Sequence, residues 1–163
     1  MLFDWGDTVM RVFPESRGPM ASWPEVEAVP GIRQALRALR SHAVIALATN
    51  AADSEPGEIR AALGRVRLGA SFDTIYCYRA LGVRKPSPEY FAAVLADLGM
   101  PAARVVLVGD DWQADVEGAL AAGLWAVWYN PRDGEARSGA RVGTVHEMAA
   151  IVGLLRGWGL IGC

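Results

Sequence analysis

Two short stretches of this chain, Val44-Ile45-Ala46-Leu47-Ala48 and Val105-Val106-Leu107-Val108, are apolar at every position. A strand with one wet face alternates apolar and polar residues, so a strand without that alternation is covered on both sides. Segments with helical spacing lie between such runs. The alternation predicts a three-layer, doubly wound, Rossmann-like α/β fold with a parallel sheet of about five strands. The expected strands are 1–3, 43–48, 74–78, 105–108 and 126–129. The first is short, because Asp4 follows Met1 so closely; either the strand is truncated or the true start lies upstream.

Helix signals fill the gaps. Segment 31–40 repeats Ile32, Leu36 and Leu39 at helical spacing, and 54–65 opens on Ser54-Glu55-Pro56. Segment 88–98 has Ser87 as N-cap and Pro88 at the first helical position. Segment 112–122 ends at Gly123, a suitable C-cap, and 145–155 is expected to close the domain. Segments 11–29 and 131–141 read as irregular, and the tail 157–163 is unassigned.

With 163 residues, the chain is expected to form one domain, 1–163, and its 52% apolar content suffices for a core. The net charge of −2 comes without a basic stripe, so neither nucleic acid nor an anionic membrane is indicated. Cys77 lies in an apolar run and Cys163 is the last residue, which disfavours a disulfide framework. The opening residues lack a basic region followed by a long apolar run, and no segment reaches membrane-span length. A cytoplasmic protein is expected.

The carboxyl ends of parallel strands converge on one crevice, where such folds bind ligands. Just past the expected strand ends stand Asp4-Trp5-Gly6-Asp7-Thr8, then Thr49-Asn50, then Arg84-Lys85-Pro86, then Gly109-Asp110-Asp111 with Asp115 a turn later. Carboxylates, a hydroxyl and an ammonium gathered there suit a phosphoryl group and a hard cation. Trp5 and Trp112 flank this place, with packing favoured over stacking on a substrate. His42 and His146 are expected to lie away from every strand end.

These four segments, in this order, resemble the motifs of the haloacid dehalogenase superfamily, and the resemblance runs from residue 1 to about 130. It implies a Mg²⁺-dependent phosphohydrolase in which Asp4 attacks phosphorus and forms an aspartyl-phosphate. Asp4, the Gly6 carbonyl and Asp110 would hold Mg²⁺, with Asp111 or Asp115 binding directly or through water. Thr49, Asn50 and Lys85 would meet the phosphoryl oxygens.

Two departures stand out. Phosphatases of the family carry a second Asp two residues after the nucleophile, as general acid and base; here Gly6 occupies that place and the acid comes at Asp7. Loss of a positioned acid–base group typically costs about 10²- to 10⁴-fold. There is also no room for a sizeable cap domain. An open site implies a macromolecular substrate, a homodimer partner acting as lid, or a small phosphorylated substrate held with little desolvation, the first two being favoured. The alternative is a catalytically impaired phosphate- and Mg²⁺-binding protein of the same fold with a regulatory or interaction role. A response-regulator receiver is excluded by motif order, and a dinucleotide-binding domain by the missing Gly-x-Gly-x-x-Gly.

Overall fold

The computed structural model describes residues 1–162; Cys163 lies outside them, and Cys77 is buried as a free thiol. Six strands form one parallel sheet: β1 Leu2–Phe3, β2 Ala46–Thr49, β3 Thr74–Cys77, β4 Val106–Gly109, β5 Trp125–Tyr129 and β6 Val142–Val145. Their order is β3-β2-β1-β4-β5-β6. The chain therefore steps outward from β1 to β3, then returns to the other side of β1. That reversal puts a topological switch point between β1 and β4.

The helices are α1 Ile32–Leu39, α2 Pro56–Arg65, the single turn α3 Tyr78–Leu81, α4 Pro88–Leu98, α5 Gly118–Ala121 and α6 Ala150–Gly157. Helices α1, α2 and α6 cover the face to which Phe3, Ile45, Leu47, Val106 and Val108 point. On the opposite face, α4 and α5 cover Leu2, Ala46, Ala48, Leu107 and Ala126. Successive strand residues point to opposite faces. With both faces covered, every position is apolar, which is why the runs show no alternation.

Local signals place the helix ends. Ser87 Oγ accepts from Tyr90 N at 3.3 Å ahead of Pro88. Glu55 N donates to Glu58 at 2.8 Å, so α2 begins at Pro56, two residues after the expected start. Gly123, at φ +82°, follows α5 as the C-cap signal requires. The segment Trp112–Glu117 that leads into α5 is a wide π-helical turn.

Two differences from the sequence reading concern the end of the chain. A sixth strand, β6, occupies 142–145, and the last helix starts at Ala150 rather than at 145. The strand was hidden because only Gly143 and Val145 of its four residues are buried. Its edge is blocked by the preceding loop, where Thr144 Oγ1 accepts from Arg137 N at 2.8 Å and donates to Arg137 O at 2.9 Å. His146 therefore directly follows a strand end, contrary to expectation.

Segment 11–29 is irregular but fastened down. Arg11 N donates to Glu27 O, Met20 is buried, and the Arg65 guanidinium donates to the carbonyls of Ala21, Trp23 and Pro24. It is a docked loop, and no cap domain is evident among the described residues. No described helix is long and apolar enough to cross a membrane.

Candidate active site

The site opens at the carboxyl ends of β1, β2 and β4, in a pocket of about 340 Å³ lined by Asp4, Asp7, Thr49, Asn50, Lys85, Asp110, Asp111 and Asp115, among others. Each strand delivers its residue directly. Asp4 N still bonds Val108 O at 2.8 Å, so the nucleophile candidate is held by the last rung between β1 and β4. Asp110 follows β4, and Thr49 ends β2.

At the centre lies Lys85. Its Nζ donates to Asp4 Oδ1 at 2.8 Å and to Asp115 Oδ1 at 2.5 Å, and its side chain is 1% exposed. Burial opposes a charged lysine, but the carboxylates of Asp4 and Asp115 outweigh it and raise the ammonium above its ordinary value. The amide of Asn50 fixes the Lys85 backbone from both sides, accepting from Lys85 N at 2.8 Å and donating to Lys85 O at 2.9 Å.

Asp115 is buried with both oxygens engaged, Oδ1 by Lys85 and Oδ2 by Asp111 N at 3.1 Å. Burial pushes its carboxyl up, and Lys85 pulls against that. Gly109 makes this possible: a Cβ there would stand 2.1 Å from Asp115 Oδ2. Asp110 accepts from Thr8 Oγ1 at 3.2 Å, while Trp128 Nε1 holds its carbonyl at 3.0 Å. Burial and the neighbouring Asp4 push the Asp110 carboxyl up to about 6, with Arg132 opposing.

Carboxylate oxygens of Asp4, Asp110 and Asp115 lie within 4.8 Å of one another, as ligands or outer partners of one hard cation would. Asp111 is not among the three. Its side chain accepts from Ala114 N at 2.8 Å and caps the π-helical turn, although it also lines the pocket. Thr49 Oγ1 accepts from Ala51 N at 3.2 Å, which leaves its hydroxyl proton free to donate. Asp7 adopts φ +53° and accepts from Val12 N at 2.9 Å through Oδ1.

The tryptophans pack. Trp5 is in the core, its indole N–H without an acceptor among the described residues. Trp112 meets Trp128 edge-on with ring centroids 5.1 Å apart. Arg132 was missed by the sequence reading. Its guanidinium bonds Asp110 Oδ2 at 2.5 Å from the loop after β5. No motif marked it, because it lies in a polar loop beyond the last resembling segment.

The chain has relatives among known proteins. The chain is 32% identical over 129 residues to pyrimidine 5′-nucleotidase YjjG of Escherichia coli, an alignment covering 76% of this chain and 56% of that protein. It is 33% identical over 130 residues to phosphoserine phosphatase of Thermus thermophilus, covering 77% of this chain and 49% of the relative. The chain thus spans about half the length of these relatives. Among solved structures, an uncharacterized protein from Listeria monocytogenes serotype 4b superposes with a TM-score of 0.84 at 26% identity, covering 98% of both chains. A haloacid dehalogenase-type phosphatase from Thermococcus onnurineus gives 0.69 at 26% identity, covering 81% of this chain and 60% of its own. The family model of haloacid dehalogenase-like hydrolases matches residues 4–123. With that match over most of its length, the chain belongs to the haloacid dehalogenase-like hydrolases.

Proposed function

We propose that this protein is a Mg²⁺-dependent phosphohydrolase working through an aspartyl-phosphate on Asp4. The observation that carries the reading is the convergence of the Asp4, Asp110 and Asp115 carboxylates, with the Lys85 ammonium held between Asp4 and Asp115. Phosphoryl transfer asks mainly for positioning and for cationic groups around the equatorial oxygens. Asp4 and Asp110, with the carbonyl of Gly6, would hold the metal, and Asp115 would orient Lys85 and the metal's outer shell, since both its oxygens are already bonded. Bound there, Mg²⁺ would offset phosphate charge as a Lewis acid.

The residues then divide the work. A carboxylate oxygen of Asp4 attacks phosphorus in line as the bond to the leaving oxygen breaks. Lys85 and the Thr49 hydroxyl neutralise the phosphoryl oxygens. Asp7 gives its proton to the leaving group, then takes one from the water that cleaves the acyl phosphate, releasing inorganic phosphate and restoring Asp4. What supports Asp7 is its place on the same pocket wall, in a left-handed turn that Asp tolerates better than most residues.

The test is release of p-nitrophenol from p-nitrophenyl phosphate with Mg²⁺. Asp4→Asn is expected to abolish turnover, and Asp7→Asn to lower kcat by about 10²- to 10⁴-fold. Undiminished turnover in Asp4→Asn would overturn the nucleophile assignment. No release by the wild type from any phosphoester would favour a phosphate-binding protein that has lost turnover; the replacement of the usual second Asp by Gly6 is the feature that fits it.

A further inference from the structure

We infer that Arg132 is a specificity-determining residue, selecting phosphoesters that carry a second anionic group, a carboxylate or another phosphate, close to the transferred one. The inference rests on the phosphohydrolase reading above. Arg132 follows the carboxyl end of β5 and reaches across to Asp110 at the pocket's edge. Among the residues lining the pocket, Lys85 is the one cation, and its ammonium is buried and committed to two carboxylates. Arg132, whose side chain is 64% exposed, is the cation at this site that faces solvent.

The loop that presents it is built. Asn130, buried, accepts from Arg132 N at 3.3 Å and donates to Asp133 Oδ1 at 2.6 Å and to Glu135 O at 3.1 Å. The ring of His146 holds Asn130 O at 2.6 Å. Further along, the Arg137 guanidinium lies over Trp112 at 4.1 Å and over Trp128 at 5.2 Å, closing the loop against the sheet. Pro131 fixes the backbone just before Arg132.

The guanidinium itself is under-used. Arg40 makes two bonds to Asp73, and Arg65 three to carbonyls, whereas Arg132 spends one donor on Asp110. A guanidinium carries five N–H donors in a planar fork suited to a bidentate anion. Held by a single bond, the exposed guanidinium remains free to take a further partner. Arg132 stands, largely exposed, beside a pocket whose lining charges apart from Lys85 are carboxylates, so an entering anion finds its solvent-side partner here.

Steady-state kinetics on a matched pair tests this: propyl phosphate, and 3-phosphooxypropanoate, in which a carboxylate replaces the terminal methyl of the same three-carbon chain. Wild type is expected to favour the carboxylate ester in kcat/KM by about 10- to 100-fold, the range of a charge-assisted hydrogen bond. Arg132→Gln should bring that ratio close to one, mainly through KM, and Arg132→Lys should restore part of it. A ratio unchanged in Arg132→Gln, or no preference in the wild type, overturns the assignment. If the wild type turns over neither ester, release from p-nitrophenyl phosphate separates a failure of the phosphohydrolase reading from poor reactivity of these two esters. Calorimetric titration of the same proteins with both esters then decides the anion site: tighter binding of the carboxylate ester that Arg132→Gln abolishes supports it, and equal binding ends it.

Discussion

Lys85 and Gly109 show how far single residues at this site depend on each other. A buried ammonium is tolerated because two carboxylates meet it, and one of these, Asp115, has room only because position 109 lacks a side chain. The Cβ of Gly109→Ala would fall on the Asp115 carboxylate, which fills its pocket and cannot yield without giving up Lys85. Breaking a buried ion pair typically costs about 3–5 kcal/mol, because the remaining charge is left unpaired. At about 2–4 °C per kcal/mol for a domain of this size, Gly109→Ala is expected to lower Tm by roughly 6–20 °C. Turnover should be lost even at temperatures where the variant stays folded. Calorimetry and p-nitrophenol release on the same sample check it, and a variant as stable and active as the wild type would show that Asp115 is not needed where it stands. The sequence marks Gly109 only as part of a motif; the reason for glycine lies in the contact.

The legibility of each element follows the strength of its local physics. Strands β2 and β4 were readable because both faces are buried, and α4 because Ser87 and Pro88 announce it. Strand β6 was not, since an edge strand with a glycine and one outward threonine has half the burial pattern to show. The site was readable wherever a residue sits at or directly past a strand end, as Thr49, Asp4 and Asp110 do. It was not readable where a role depends on which way a side chain turns: Asp111 caps its helix, and Arg132 reaches in from a loop. Asp73 is a similar case outside the site. Its carboxylate takes two bonds from Arg40 just after α1 and one from Ile45 N, tying that helix to the β2–β3 edge. The guanidinium and the N–H hold the carboxyl below its usual value. A depressed folded value means that the stabilisation is present above the unfolded value, about 3.9, and is lost as pH falls through the folded one. Asp73→Asn is therefore expected to lower Tm by a few degrees at neutral pH, with the gap to wild type closing below about pH 4. A gap that widens on acidification would contradict this sign.

Across the whole molecule, one consequence of the topology is that two segments distant in sequence bring like charges together. The strand order places β1 beside β4, so Asp4 and Asp110 are neighbours although their positions in the chain are far apart, and Asp115 joins them from the following turn. Lys85 offsets only part of this charge, and the Asp110 carboxyl is pushed up to about 6 by burial and by Asp4. The fold is thus held against a repulsion at its centre that a divalent cation would relieve. A ligand that binds only the folded state adds RT ln(1 + [L]/Kd), about 2.7 kcal/mol at a hundredfold excess over Kd. For a domain of this size, that is a rise in Tm of roughly 5–10 °C. Saturable stabilisation by Mg²⁺ over a chelator-treated control is therefore expected, with Asp110→Asn abolishing most of it. Screening by salt is a different effect, weak for buried charges and indifferent to which acid is present. Sodium chloride at matched ionic strength should leave Tm nearly unmoved; an equal rise with sodium, or one retained in Asp110→Asn, would place the cation's effect elsewhere on the protein.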